Sequence, residues 1–387
     1  MTEHRAEPSA ERPDRSAARA AAARARISAW LDGERARGLV LTGPAAVAWA
    51  TGGIAPPVDR TAGVDLAWVV ATPGGLSLIT TEVEADRVRA EYGPGEHGFT
   101  DLIAVPWYDP DAFVAAARQV AGVPAEELAA DGHPAFGRDV TDELIALRLA
   151  LSPAEQDDLR DLAADAARAL ETALAHWRPG ERDLDIQARC AALLEGSGAD
   201  TPVLIVGGDE RVAAFRHPMA AGVPVSRLVM AVVVARRGGL HAAATRFASA
   251  GPLDPGYARL RGRVLDIERQ VLAASRPAAS YGATLAALDR AYQLAGAPRG
   301  WAGHYQGGPI GYGQREFEIA PGQGSRWADE LMQAGHALAW NPSLPGGAKV
   351  EDTYLLTADT MRRLTSTPDW PLQAGDDLGR PGVLEIG

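Results

Sequence analysis

Residues 303–316 read Gly303-His304-Tyr305-Gln306-Gly307-Gly308-Pro309-Ile310-Gly311-Tyr312-Gly313-Gln314-Arg315-Glu316, a run that sets chemistry-capable side chains among glycines. The run does not form the strand-to-helix pattern of a nucleotide loop, so Gly307-Gly308 is not read as a phosphate cradle. Two other stretches share its polar character. One is Phe215-Arg216-His217-Pro218, in a loop between strand-like runs; the other is Ala339-Trp340-Asn341-Pro342, followed ten residues after Asn341 by Glu351-Asp352-Thr353. All three lie in the second half of the chain, so the elements between them decide what can meet.

That second half opens on Ser152-Pro153-Ala154-Glu155, where a serine N-cap, a proline at the first helical position and a glutamate at the third spell a capping box. Leu159, Leu162, Ala166, Leu170, Leu174 and Trp177 then recur at spacings of three and four, and Pro179-Gly180 ends the helix. A second helix is expected over Leu184–Leu194, then strands at Val203–Val206, Leu228–Val234 and Leu240–Phe247. Helices at Tyr257–Ala274 and Ala283–Ala295 and strands at Ala337–Asn341 and Val350–Leu356 complete an α+β region. The first half alternates instead. A helical stretch from about Ala17, the strand Leu39-Val40-Leu41, a short helix at Ala45–Ala50, a hairpin (Leu66–Thr72 and Leu76–Thr80 around Pro73-Gly74-Gly75), a helix at Glu82–Tyr92, a strand at Leu102–Val105 and helices at Asp111–Val120 and Thr141–Leu149 argue an α/β layer. The expected organisation is a frayed tail over 1–24, an α/β domain over 25–150, an α+β domain over 151–365 and an irregular tail over 366–387.

Composition removes whole classes of function. With 387 residues, a net charge of −12, 47% hydrophobic and 23% charged residues, the chain is a globular protein large enough for two domains. Its longest apolar run, Leu228–Ala235, is far short of the roughly 20 residues that span a bilayer. A single cysteine, Cys190, excludes thiolate zinc and iron–sulfur sites and internal disulfides. The 50 acidic residues outnumber 38 basic ones, of which Lys349 is the only lysine, so nucleic-acid binding is not expected. Residues 1–26 are rich in Ala and Arg but carry Glu3, Glu7, Glu11 and Asp14 and lack an apolar signal core, so a cytoplasmic protein is expected.

The order of elements, His-x-Gln-Gly-Gly-x-x-Gly-Tyr, Asn341-Pro342 and Lys349-Val350-Glu351-Asp352-Thr353 together resemble the pita-bread family of methionine aminopeptidase, prolidase, aminopeptidase P and creatinase. The resemblance covers roughly residues 25–365, and Val47-Ala48-Trp49-Ala50-Thr51-Gly52-Gly53 is similar to the segment after the first strand of the creatinase-type N-terminal domain. It implies an α+β fold, an α/β creatinase-like N-terminal domain followed by a pita-bread catalytic domain, and a homodimer. Peptidases of the family hold two divalent metals with two aspartates, a histidine and two glutamates. By this resemblance His304 and Glu351 stand at two of those positions, whereas Ala243, the stretch Ala231–Val234 and Asn341 stand where the other carboxylates belong. Two dications are held together mainly by bridging carboxylates, so a two-metal site is not expected, and no cofactor is assigned. A single-metal site on His304 and Glu351, with His241 or Glu316 recruited, is the minor alternative.

Creatinase and ectoine hydrolase, which the resemblance places in the same fold, split C–N bonds of small polar compounds without metal. His217 lies where creatinase-like members keep an acid/base histidine, and it is a side chain that titrates near neutrality. The expected catalytic residues are therefore His217, His304 and Glu351, with Arg315, Glu316, Tyr312, Asn341, Arg246, Thr245 and Arg60 around the substrate. Tyr312-Gly313-Gln314-Arg315-Glu316 resembles a Tyr-Gly-Arg-Glu stretch of creatinase with one residue inserted, and Thr245 stands where creatinase has a glutamate, which argues against a guanidinium substrate. Other readings stay open at individual positions: Arg315 and Glu316 as an internal ion pair, and Glu351 paired with Lys349 or Arg246. The leading expectation is a metal-independent, creatinase-like hydrolase or lyase acting on a C–N bond of a small polar or amino-acid-like compound. The alternatives are a metal-dependent Xaa-Pro aminopeptidase or dipeptidase and a non-catalytic binding protein; no nucleic-acid or membrane partner is expected.

Overall fold

The computed structural model describes residues 14–54, 67–92 and 97–387. The chain forms two compact units, residues 1–139 and 140–387. In the first, the elements run α1 (Ser16–Glu34), β1 (Leu39–Leu41), α2 (Pro44–Ala50), β2 (Ala67–Thr72), β3 (Gly75–Thr81), α3 (Ala85–Glu91), β4 (Asp101–Val105), α4 (Ala112–Ala121), β5 (Ala129–Ala130) and β6 (Arg138–Asp139). They build a mixed six-stranded sheet in the order β4-β3-β2-β1-β5-β6. The hairpin sits where the Pro-Gly-Gly signal put it, with Thr72 opposite Gly75, and Val40, Trp68, Val70 and Ile79 pack against Ala116 and Ala117 of α4. Residues 16–24, expected to fray, are the first turns of α1, because Arg19, Ala20 and Ala23 are buried with Ile27 and Leu31.

The second unit runs α5 (Thr141–Leu149), α6 (Pro153–Ala175), β7 (Glu181–Arg182), α7 (Asp183–Gly196), β8 (Asp200–Gly208), α8 (Asp209–Ala214), β9 (Pro224–Val225), β10 (Leu228–Arg237), β11 (Leu240–Ala250), α9 (Pro255–Ala274), α10 (Tyr281–Leu294), β12 (Gly307–Ile310), α11 (Arg326–Asp329), β13 (Ala337–Trp340), β14 (Ser343–Leu344), β15 (Ala348–Lys349), β16 (Tyr354–Leu356), β17 (Met361–Arg363) and β18 (Val383–Ile386). The capping box forms as spelled: the Ser152 amide donates to Glu155 Oε2 at 2.6 Å, and the Glu155 amide donates to Ser152 Oγ at 3.4 Å. Two four-stranded sheets follow, β18-β11-β10-β8 and β12-β13-β16-β17. The end of the chain, expected to be irregular, returns as β18 and pairs in parallel with β11, Phe247 opposite Val383; the edge amides and carbonyls of β11 give this segment its partners.

The expected strand over Val350–Leu356 is interrupted. Only Tyr354 and Leu355 pair with β13, because residues 351–353 bond β11 instead. The Thr245 amide donates to the Glu351 carbonyl at 2.9 Å, the Ala243 amide donates to Thr353 Oγ1 at 2.8 Å, and that hydroxyl donates to the Ala243 carbonyl at 2.9 Å. This stitch carries Glu351 onto the face of β10 and β11. Among the described residues no helix is long and apolar enough to cross a membrane.

Candidate functional site

A cleft with a cavity volume of about 90 Å³ opens between the two sheets of the second unit. Val203 and Ile205 of β8, Val232 and Val234 of β10 and Ala243 of β11 form one wall; His217, Tyr305, Gln314, Arg315, Asn341, Lys349 and Glu351 supply the polar groups. Strand geometry explains the wall. Side chains two apart share a face, and the β10–β11 register sets Val234 opposite Ala243 and Val232 opposite Thr245. Close packing of β12 on β13 completes it: Gly307 has φ +81°, and a Cβ there would lie 1.9 Å from the Ala339 carbonyl oxygen, so only glycine fits.

Glu351, buried in the cleft floor, is the centre of the polar cluster. Its Oε2 receives the Thr245 hydroxyl at 3.1 Å and lies 3.0 Å from the ammonium nitrogen of Lys349, and its Oε1 receives Asn341 Nδ2 at 3.2 Å. The amide of Asn341 points its oxygen the other way, where Oδ1 is buried without a hydrogen-bond partner among the described residues. Lys349 is itself buried. Of the two partners the sequence left open for Glu351, the structure selects Lys349.

His217 stands on the exposed rim of the cleft. Partial burial and the nearby charges of Lys349, Arg216 and Arg315 move its pKa below 6.5, with Glu351 pulling the other way. The imidazole is therefore neutral at pH 7, with a lone pair to accept a proton. His304 packs against it, ring centroids 6.2 Å apart, but both of its ring nitrogens are engaged by the protein. Nδ1 bonds the Tyr305 carbonyl, and Nε2 lies 2.6 Å from Ser343 Oγ, which also accepts from Arg216 at 2.5 Å. Burial lowers the His304 pKa to about 4, so this ring is a neutral support behind His217 rather than a proton carrier in the cleft.

Arg315 lies on the rim, stacked 4.4 Å over the Tyr305 ring and ion-paired with Glu318. The internal pair with Glu316 is not formed: Glu316 is buried, with Oε2 2.9 Å from Arg148 Nε and 2.8 Å from Nη2, and Oε1 accepts from the Gly313 amide. Three other expected substrate contacts are corrected by the geometry. Glu316 faces Arg148; the Tyr312 hydroxyl donates to Glu155 Oε1 at 2.8 Å, extending the capping box; and Arg246, 1% exposed, is held by Glu171 and Asp352 at 2.8 and 2.9 Å. Each satisfies a buried charge or hydroxyl and presents nothing to the cleft. Arg60 lies outside the described residues. Lys349, expected from the sequence only as a neighbour of Glu351, also lines the cleft. Its signal in the sequence was its singularity, together with the two-residue spacing that brings it to the same face.

The donor set does not fit a metal pair. Val232, Val234 and Ala243 present hydrocarbon to the cleft beside Glu351, Asn341 contributes a neutral amide, and the Lys349 ammonium already provides a cation at the glutamate. His241, the reserve ligand, is buried in β11 with Nδ1 on the Gly311 carbonyl at 3.2 Å. Burial lowers its pKa to about 4. Among the described residues no group of three or more His, Cys, Asp and Glu side chains is arranged to hold a metal ion.

No curated protein sequence matches this chain. Solved structures do match its fold. The dipeptidase PepE from Mycobacterium ulcerans is 21% identical with a TM-score of 0.74, covering 96% of this chain and 99% of that one. The prolidase from Pyrococcus horikoshii OT3 is 16% identical with a TM-score of 0.64 over 89% and 98% of the two chains. The X-Pro aminopeptidase from Thermotoga maritima MSB8 is 15% identical with a TM-score of 0.68 over 93% and 99%. At these identities the likeness speaks for the architecture, an α/β N-terminal region followed by a pita-bread domain. The sequence profile of metallopeptidase family M24 matches residues 157–358, which contain the whole cluster around Glu351. The chain belongs to metallopeptidase family M24, with the architecture of its peptidase-like hydrolases.

Proposed function

We propose that this M24-family chain hydrolyses a C–N bond in a small polar or amino-acid-like compound without a metal pair. The observation that carries the reading is the setting of Glu351, with valines and alanine along one wall, a neutral amide at Oε1 and an ammonium at Oε2. His217 is the acid/base group. Its neutral imidazole takes a proton from water as the water oxygen bonds to the carbonyl carbon. The imidazolium returns that proton to the leaving nitrogen as the C–N bond breaks. Glu351, with Thr245 and Asn341, fixes the polar floor against which the reacting group lies. A cavity of about 90 Å³ is smaller than the roughly 150 Å³ that accommodates a benzene ring, which suits a reacting group of a few heavy atoms. Arg315 on the rim is placed to meet a substrate carboxylate in exchange for the exposed Glu318.

A second reading, a metal-dependent Xaa-Pro peptidase, is favoured by the activities named for the structural neighbours: dipeptidase, prolidase and X-Pro aminopeptidase. One experiment separates the two. The protein is equilibrated with manganese, cobalt, zinc or iron, its metal content is measured by plasma mass spectrometry, and turnover is screened on Xaa-Pro dipeptides, N-acyl amino acids and creatine-like and ectoine-like compounds, with and without chelator. The expected result is chelator-resistant turnover that His217→Ala lowers by about 100-fold or more. Stoichiometric metal with activity only on Xaa-Pro peptides and only when loaded would replace our reading with the second.

A further inference from the structure

Lys349 is the only lysine in a chain whose other cationic side chains are arginines. A surface cation could be either residue, so its one use at a buried cleft position points to a property arginine lacks: a compact point charge with three donors on a flexible stem. The structure gives that ammonium a single partner among the described residues, Glu351 Oε2 at 3.0 Å. At least two of its three N–H groups are therefore left without an acceptor among the described residues, at a position lining the same cleft as His217. The surrounding wall of Val232, Val234 and Ala243 is apolar, and a charge beside such a wall acts more strongly than in water.

We propose that Lys349 is a catalytic residue whose ammonium hydrogen-bonds the carbonyl oxygen of the substrate and stabilises the negative charge that grows on it as water adds. This inference rests on the hydrolase reading above. In the step, the His217 imidazole accepts the proton of water, the new O–C bond pushes the carbonyl electron pair onto oxygen, and Lys349 holds that oxygen through an N–H. Collapse of the intermediate restores the carbonyl and expels the nitrogen with the proton from His217. Glu351 is a positioning residue that aims the ammonium. The arrangement also accounts for the missing carboxylates, because a tethered cation needs one counter-charge where two dications need several.

The test compares Lys349→Met, Lys349→Arg and Lys349→Ala with wild type on whichever compound of the panel is turned over. A group that acts on the developing oxyanion is expected to lower kcat by about 100-fold or more in the Met variant with little change in KM, and ethylamine is expected to restore part of the rate of the Ala variant. The doubly neutral Lys349→Met/Glu351→Gln protein removes the uncompensated carboxylate and keeps the comparison valid if the single variant unfolds. A second readout does not depend on turnover. [15Nζ]Lysine labelling gives one side-chain signal in this protein, and methylphosphonate, a tetrahedral oxyanion, is expected to shift it. An unmoved signal, or a Met variant within about threefold of the wild-type kcat, overturns the role of Lys349 even where His217→Ala abolishes turnover. A shifted signal in a protein that hydrolyses nothing in the panel keeps Lys349 as an oxyanion-binding residue and removes the hydrolase reading instead.

Discussion

Asp183 ties down the loop that carries His217, and replacing it is a sharp probe of how that loop is held. The side chain is fully buried at the start of α7. Its Oδ1 accepts the Gly222 amide at 2.7 Å and the Val223 amide at 3.2 Å, and Oδ2 accepts the Ala221 amide at 2.9 Å. In Asp183→Asn the amide oxygen can serve one side only, so the new NH2 group faces a backbone N–H and a charge-assisted bond becomes a buried donor–donor contact. The loss is about 2–4 kcal/mol, and at about 2–4 °C per kcal/mol for a unit of this size the melting temperature falls by roughly 4–16 °C. Calorimetry measures that fall, and hydrogen exchange at residues 221–223 measures the loosening directly. Because Met219 and His217 share the same turn through a 2.9 Å backbone bond, turnover falls in parallel while the cleft residues stay intact. A melting temperature unchanged within error, with unaltered exchange at 221–223, would refute the idea that this carboxylate orders the loop.

Three further outcomes are expected. His217 has a lowered pKa, so the acid limb of kcat/KM has its midpoint below pH 6.5; a midpoint above that value would reassign the base. His241, His304 and His336 are each lowered to about 4 by burial, so the folded state binds fewer protons than the unfolded chain between pH 6.5 and 4. The stability they contribute is complete above pH 6.5 and is lost as pH falls toward 4, which urea midpoints and histidine NMR titrations check; titration of all three near 6.5 would contradict their burial. Tyr312→Phe removes the 2.8 Å bond to Glu155 and is expected to lower stability by about 1–3 kcal/mol with kcat and KM unchanged. A change in KM without loss of stability would restore Tyr312 to the substrate.

Much of the fold was legible along the chain because its signals are local. The Ser152–Glu155 capping box and the spaced leucines of α6 need no distant partner to be read. The segments that escaped are those whose order depends on one. Residues 383–386 become a strand because β11 offers them an edge, and 351–353 leave the ladder because the Glu351 carbonyl and the Thr353 hydroxyl bond to Thr245 and Ala243 of β11.

The same division runs through the site. Through its family resemblance, the sequence determined that carboxylates are missing from the stretch Ala231–Val234, Ala243 and Asn341 and that His217 and Glu351 remain; residue types alone showed that a single lysine lies two positions before the glutamate. Tertiary structure alone decided which of the polar residues face one another. Glu316 finds Arg148 across 168 residues of sequence and Tyr312 finds Glu155 across 157, removing both from the cleft. The reason is physical: a buried charge or hydroxyl must be satisfied by whatever donor or acceptor the packing brings within about 3 Å. Spacing along a strand sets the face on which a side chain lies, whereas its partner is set by the register of elements far apart in the chain.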